Sequence, residues 1–305
     1  MAVDDEVIAV IKENFMLAPL HNPPNLMGLE AAMQHLPGKV QVAVFDTAFH
    51  TSMPKEAYLY ALPYELYAKH GVRRYGFHGT SHRYVSERAA EMLGKPLKEC
   101  NLITLHLGNG CSMAAVREGR SVDTSMGMTP LEGLVMGTRS GDIDPALPFF
   151  FDQNLGMKPK EVYDLLNRES GLAGLSGVGN DMREIIAAAR EGNQQAELAL
   201  KVFCYRARKY IGAYLAALGR LDAVVFTAGI GENAAEVRRR ICSGLDALGI
   251  CLDEEANEKA VGREAVISKP GSPAAILVVP TDEALKIAID AYEVYLGTSA
   301  GSKGQ

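Results

Sequence analysis

Leu105-His106-Leu107-Gly108-Asn109-Gly110-Cys111-Ser112 decides how the rest of the chain is read. It closes the apolar run Leu102-Ile103-Thr104-Leu105, and an apolar β-prone run that breaks into Gly-x-Gly is a buried strand entering a tight turn. On spacing alone Gly-Asn-Gly favours a hairpin turn. The alternative is a loop whose backbone N–H groups lie close to an anion, because glycine has no Cβ to hold the ligand off.

Other stretches end the same way. Leu221–Phe226 predicts a strand that breaks into Thr227-Ala228-Gly229-Ile230-Gly231-Glu232-Asn233, followed by a helix carrying Val237, Ile241, Leu245 and Leu248. Asn233 and Glu236 have capping-box spacing. Strand, Gly-x-Gly turn and capped helix form a nucleotide-binding arrangement, though not the Rossmann G-x-G-x-x-G. Ala275–Val279 predicts a strand ending at Pro280-Thr281-Asp282-Glu283, and Lys39–Phe45 one ending on Asp46. Strands alternating with helices, with polar or glycine-rich strand ends, indicate an α/β fold in which Asp46, His106–Gly110, Gly229–Asn233 and Glu283 meet at one cleft.

Between these strands the pattern is mostly helical. Val7–Leu17 has helical spacing with Asp4 and Asp5 as caps, and His21–Asn25, with two prolines, reads as a stiff irregular connection before a short helix at Gly28–Leu36. Pro54–His70 is Tyr-rich and interrupted by Pro63. His78 stands just before a helix that runs to Leu93. His78 and His82 are four apart, but Gly79 intervenes and no third ligand is adjacent, so a histidine donating to an anion at a helix N-terminus is preferred over zinc. Met113–Arg117 reads as a returning strand and Glu118-Gly119-Arg120 as a hairpin. In the loop Met126–Gly141, Arg139 sits among glycines, where it packs poorly and can reach a phosphate. Asp144-Pro145 reads as a helix start, Asp46 in isolation as a turn or cap carboxylate as readily as a catalytic one, and Gly171–Gly179 as a turn before the helix opened by Asn180-Asp181. Gln194–Leu218 is a long amphipathic helix, with Leu198, Val202, Tyr205, Ile211 and Leu215 read as its inward face. The last helix places Leu285, Ala288, Ile289, Tyr292 and Leu296 on one side, and Gly297–Gln305 is expected to be disordered.

The 305 residues are 48% hydrophobic and carry a net charge of −6, which argues against general binding of nucleic acid or anionic membranes. Five scattered cysteines without a C-x-x-C pair fit reduced thiols, and the acidic start Asp4-Asp5-Glu6 is unlike a signal peptide. A cytoplasmic protein is expected.

The ordered set Leu17–Asn25, Val44–His50, Tyr75–His82, His106–Gly110, Met136–Pro145, Gly179–Arg183, Phe226–Asn233 and Thr281–Glu283 closely resembles the acetate and propionate kinase family of the actin, sugar-kinase and Hsp70 superfamily. The resemblance implies a two-domain, ribonuclease H-like fold: residues 1–47 with 281–305 as the first (acetate-side) domain, and 48–280 as the second (nucleotide-binding and dimerisation) domain. It implies Mg2+ (or Mn2+)-dependent phosphoryl transfer from ATP to acetate or a similar short carboxylate, in a homodimer. By the same resemblance Asp46, His78 and Arg139 are catalytic, Glu283 holds the metal, and His21 lies on the substrate side. His106, Leu107, Gly108, Asn109 and Gly110 cover the ATP/ADP phosphates. Asp181, Met182 and Arg183, with Gly229, Ile230, Gly231, Glu232 and Asn233, hold the adenosine. The family's opening Asn-x-Gly-Ser-Ser-Ser-x-Lys and its His-Arg-x-Val-His-Gly-Gly do not occur here. The first domain is therefore expected to be incomplete and to expose apolar edges.

Overall fold

The structure is a computed structural model that describes residues 1–15 and 22–301. Six strands form one mixed sheet in the order β3-β2-β1-β4-β6-β5: β1 (Asn101–Leu107), β2 (Cys111–Arg117), β3 (Arg120–Thr124), β4 (Ala223–Thr227), β5 (Ala265–Val266) and β6 (Ala275–Val278). The central strands β1, β4 and β6 run parallel, so the segments that follow them emerge at the same edge. β1–β2 and β2–β3 are antiparallel hairpins. At the second hairpin Glu118 and Gly119 both take positive φ (53° and 79°), the backbone that a two-residue turn needs to match strand twist.

The helices are α1 (Asp5–Glu13), α2 (Asn22–His35), α3 (Lys55–Tyr58), α4 (Tyr64–His70), α5 (Gly79–Met92), α6 (Leu147–Leu155), α7 (Pro159–Arg168), α8 (Gly171–Ser176), α9 (Met182–Arg190), α10 (Gln194–Leu218), α11 (Ala228–Asn233), α12 (Ala235–Cys242), α13 (Glu254–Lys259) and α14 (Glu283–Gly301). Strand alternation divides the sheet into two faces. Ile103, Leu105 and Leu107 of β1, Met113 of β2 and Phe226 of β4 pack with Phe203, Ile211 and Ile185 of α10 and α9. Leu102, Ala114, Val225 and Leu277 pack on the other face against Val85 and Ala89 of α5. Thr104, His106 and Ser112 share the parity of that second set and therefore point at α5.

Several elements differ from the sequence reading. Lys39–Phe45 is not a strand: only Val42 bridges, to Ala2, with Val3 N donating to Gln41 O at 2.9 Å and Ala43 N to Met1 O at 3.0 Å. A strand needs neighbours along its edge, and among the described residues this segment meets only Met1–Val3. Asn22–Asn25 belongs to α2, because prolines in a first helical turn give up N–H groups that have no intrahelical partner. Gly171–Ser176 is helical and stops at left-handed Gly177. Ala146 rather than Asp144 caps α6; Asp144 Oδ1 accepts from Ala146 N in the preceding turn. On α10 the inward face is Ala199, Leu200, Phe203, Ala207, Ile211 and Tyr214, whereas Leu198 and Tyr205 are exposed. α14 continues to Gly301 with no proline to stop it, and residues 302–305 lie outside those described. Its Leu285, Ile289, Tyr292 and Leu296 are exposed.

Gly229–Asn233, read as a turn, is the short helix α11. Asn233 does not cap the next helix; its Nδ2 donates back to Gly229 O at 2.9 Å, and Glu236 pairs with Arg240 and Arg190. The helical form is held by Arg238, which is fully buried. Its Nη1 donates to the carbonyls of Gly231 (2.8 Å) and Glu232 (2.9 Å), and its Nε and Nη2 to Asn257 and Ala260 of the α13 segment. Carbonyls at a helix end lack an intrahelical donor, and Arg238 supplies one to Gly231 and Ala260. No carboxylate pairs with Arg238 among the described residues, and burial lowers its pKa to about 10.

Candidate active site

The β1–β2 hairpin ends in the turn Gly108-Asn109-Gly110, closed by Gly108 N donating to Gly110 O at 3.0 Å. The hairpin turn that the spacing favours is the form observed. The turn stands at the edge where the parallel strands end. A Cβ at Gly110 would lie 2.8 Å from Arg139 Nη2 and 3.3 Å from Nε2 and Cε1 of His78, so a larger residue there would displace the Arg139 guanidinium. Arg139 is half-buried, and its Nη1 donates to Pro130 O. Among the described residues no carboxylate pairs with it, and burial lowers the guanidinium pKa. A cation kept part-buried without an acid is arranged for an anionic ligand.

His78 caps α5 in the left-handed conformation (φ 55°). Asp46 braces it: Asp46 Oδ2 accepts from His78 N at 2.5 Å, and Asp46 O accepts from Gly79 N at 2.7 Å. Asp46 thus acts as a cap carboxylate at the start of α5. It is near enough to Glu283, the first residue of α14, that burial first and Asp46's charge second raise the Glu283 pKa above the usual carboxylate range. Two such carboxylates are a natural seat for a hard cation. Among the described residues no group of three or more His, Cys, Asp or Glu forms a metal cage.

Of the groups behind these residues, the hydroxyls of Thr104 and Ser112 are not singled out in the sequence reading, His82 enters it only as an unfavoured zinc ligand, and His106 is assigned there to the phosphates. His78 stacks on His106 with centroids 4.1 Å apart. His78 Nδ1 meets Ser112 Oγ at 2.9 Å, and His82 Nε2 meets the same oxygen at 2.8 Å. His82 Nδ1 meets Thr104 Oγ1 at 2.7 Å. His106 Nδ1 meets Ser81 Oγ at 2.8 Å, and Ser81 in turn meets Thr281 Oγ1 at 2.9 Å. Burial, then neighbouring imidazoles, holds His82 and His106 well below the ordinary imidazole range, and burial brings His50 down to about 4. The sequence signal was the polar Thr104, His106 and Ser112 at alternate positions of otherwise apolar strands.

The remaining predicted residues flank this centre. Asn109 Oδ1 accepts from Asn180 Nδ2 at 2.9 Å, and Gly137 N donates to Asn109 O at 2.9 Å, tying the hairpin to the start of α9 and to the Arg139 loop. Asp181 caps α9 and pairs with Arg183 (Nη2 to Oδ2, 2.6 Å). Leu107 and Met182 are buried in the core, so they offer backbone rather than side chain to a cleft. In α11, Ala228 Cβ would stand 3.8 Å from a Cβ at Gly108, and Glu232 Oε1 accepts from Thr281 N at 3.1 Å. His21 lies outside the described residues.

A mixed sheet whose parallel strand ends carry a glycine hairpin, an acid-braced helix start and an unpaired guanidinium defines an α/β phosphotransferase of the actin/sugar-kinase/Hsp70-like superfamily. The chain belongs to the acetokinase family, kinases that phosphorylate a carboxylate using ATP, and matches that family over residues 1–289. It is 58% identical over 294 residues to an acetate kinase of Thermotoga maritima, covering 96% of this chain and 73% of the relative. The structure superposes on the crystal structure of an acetate kinase of Porphyromonas gingivalis with a TM-score of 0.93 at 50% identity, over 97% of this chain and 74% of that one. A propionate kinase of Francisella tularensis superposes with a TM-score of 0.89 at 46% identity, over 94% of this chain and 73% of that one. No helix among the described residues is long and apolar enough to cross a membrane.

Proposed function

We propose that this chain transfers the γ-phosphoryl group of ATP directly to acetate. An acetate oxygen forms the new P–O bond as the bond to the β-phosphate oxygen breaks, giving acetyl phosphate and ADP. The observation that carries the reading is the meeting of Arg139 and His78 around Gly110, beside the Asp46–Glu283 carboxylate pair. Bringing a carboxylate against a polyphosphate sets anion against anion, and the transferring group spreads charge over three equatorial oxygens. Arg139 donates to them through a fixed fork and His78 through a ring N–H. The carboxylate nucleophile is ionised at neutral pH and needs no base, so Asp46 orients groups rather than accepting a proton.

We assign His106–Gly110 to the phosphates, and Asp181–Arg183 with Gly229–Asn233 to the adenosine, through backbone at Leu107 and Met182. Glu283 would hold Mg2+ (or Mn2+), which when bound neutralises phosphate charge. The two-lobe reading, 1–47 with 281–305 against 48–280, puts acetate and His21 on the first side. A homodimer through the second lobe is supported by the exposed Leu198 and Tyr205 of α10.

The likeness to a propionate kinase favours one second reading, a preference for a longer acid. Coupled assays of kcat/KM for acetate, propionate and butyrate decide between them: a higher value for propionate or butyrate would overturn the acetate assignment. Calorimetry with ADP and magnesium on the same preparation completes the test. Binding of ADP without turnover of any of the three acids would make the chain a nucleotide-binding remnant.

A further inference from the structure

Arg139 and His78 stand on separate segments, and the loop between β3 and α6 reaches toward both. Within it, Pro130 O accepts from Arg139 Nη1. Gly127 O accepts from Tyr75 N at 3.0 Å and from Gly76 N at 3.2 Å, on the segment that leads into His78. Met128–Glu132 lies outside helix and strand, so no regular ladder sets its shape. Whatever fixes Gly127–Glu132 fixes the Pro130 carbonyl on one side and the approach to His78 on the other.

What fixes it is a knot of side chains around Tyr60, just beyond α3. The Tyr60 hydroxyl donates to Glu132 Oε2 at 2.5 Å and accepts from Met128 N at 2.9 Å, using both its proton and a lone pair. One oxygen thus grips both ends of Met128–Glu132, with Pro130 between them. Glu132 Oε1 accepts from Arg74 Nη2 at 2.7 Å. Arg74 Nη1 donates to the carbonyls of Thr124 (2.8 Å), Ser125 (3.1 Å) and Met126 (3.3 Å), which ties the knot to the end of β3. The Arg74 and Glu132 side chains are only 17% and 31% exposed, so salt screens their pairing less than it would on the surface. The knot is also tight, because a Cβ at Gly127 would overlap both Glu132 Oε2 and Tyr60 Oη.

We infer that Tyr60, with Glu132 and Arg74, is a positioning residue that sets Arg139 through the Pro130 carbonyl and the approach to His78 through the Gly127 carbonyl. Donors aimed at a transferring phosphoryl group act best when they are held before the ligand arrives, and a misplacement of about 1 Å costs up to about a hundredfold in rate. That use rests on the phosphoryl-transfer reading above; the tie between Tyr60 and Arg139 does not.

Tyr60→Phe tests it, since it keeps the ring and removes both bonds of the hydroxyl. Its kcat should fall about tenfold with KM for ATP held within about twofold, because the displaced group serves the transition state. Glu132→Gln leaves one acceptor oxygen for two donors and should lose kcat in the same direction. Tyr64→Phe, at an exposed neighbour, should lose nothing. A second readout needs no turnover. Modification of Arg139 by phenylglyoxal, mapped by mass spectrometry, and amide hydrogen exchange at Tyr75 and Gly76 should both quicken in Tyr60→Phe, with exchange in β1 and β4 unchanged. Unaltered Arg139 modification and amide exchange in Tyr60→Phe would overturn the inference. A lowered Tm with full kcat would overturn it too, since that is a purely stabilising role, as would an equal loss in Tyr64→Phe. Should Tyr60→Phe not fold, Glu132→Gln carries the same measurements. No turnover by the unsubstituted chain would count against the phosphoryl-transfer reading, and the modification and exchange rates would then decide the tie.

Discussion

Replacing Gly110 with alanine should damage the reaction far more than the fold. The glycine is not at positive φ, so alanine meets no backbone strain there. Its Cβ would stand 2.8 Å from Arg139 Nη2 and 3.3 Å from the His78 ring. Relief to ordinary carbon–nitrogen contact requires Nη2 to retreat by about 0.7 Å. The guanidinium is the far end of a flexible side chain held by Pro130 O, so that movement costs less than about 1 kcal/mol of stability. A displacement of this size in a group that donates to the transferring phosphoryl lowers kcat by about 10- to 100-fold. Gly28→Ala is the control, because a Cβ there would have no atom within 4 Å. The assay is steady-state kcat with Tm measured on the same preparations. Full kcat in Gly110→Ala would refute the placement of Arg139 and His78 around this residue. A large fall in Tm would refute the claim that the strain is local.

Arg139→Lys should lose roughly 100-fold or more in kcat with Tm unchanged, since a point charge does not replace the two-pronged donor; near-normal kcat would contradict this. Arg238→Met leaves the buried carbonyls of Gly231 and Ala260 without a donor and removes one of two from Glu232 and Asn257, and should cost about 3 kcal/mol, lowering Tm by roughly 6 °C or more by calorimetry. Because the folded-state pKa of Glu283 is raised, its ionisation opposes folding: the penalty is full above the folded pKa and absent below the unfolded value of about 4.3. Glu283→Gln should therefore raise Tm at pH 8 in metal-free buffer, with the gain vanishing as pH falls through the carboxylate range. Magnesium with ADP should stabilise the parent chain but not this variant. On the proposed homodimer, Leu198→Asp with Tyr205→Arg should convert dimer to monomer by sedimentation with the core of α10 intact, and an unsubstituted chain that sediments as a monomer would overturn that proposal.

The sheet was legible because β1, β4 and β6 are apolar runs with abrupt polar ends, and α10 because its bounds carry Asn193 and Gly219 as caps. Its inward face was read correctly at Ile211, Val202 and Leu215 but not at Leu198 and Tyr205, which are exposed while small Ala199 and Ala207 are buried in the core. The Lys39–Phe45 segment alternates as a strand does, but alternation describes one residue face at a time and says nothing about a neighbour to pair with. The α11 helix was hidden because what holds it, Arg238, lies outside the Gly-x-Gly pattern and on the following helix. Of the site, the glycines, His78, Arg139 and the two acids were legible as chemistry-bearing residues. Ser112, Thr104 and His82 were not, since their meaning comes from the pairing of β1 with β2 beneath α5.

The most direct test is acetyl phosphate formation, trapped as the hydroxamate, by the unsubstituted chain and by the His78→Ala/Arg139→Ala double variant under identical acetate, ATP and magnesium. The account predicts product from the first and at least about a thousandfold less from the second, with both folded and both binding ADP. Equal product from the two would contradict it, as would ADP binding with no product from the unsubstituted chain.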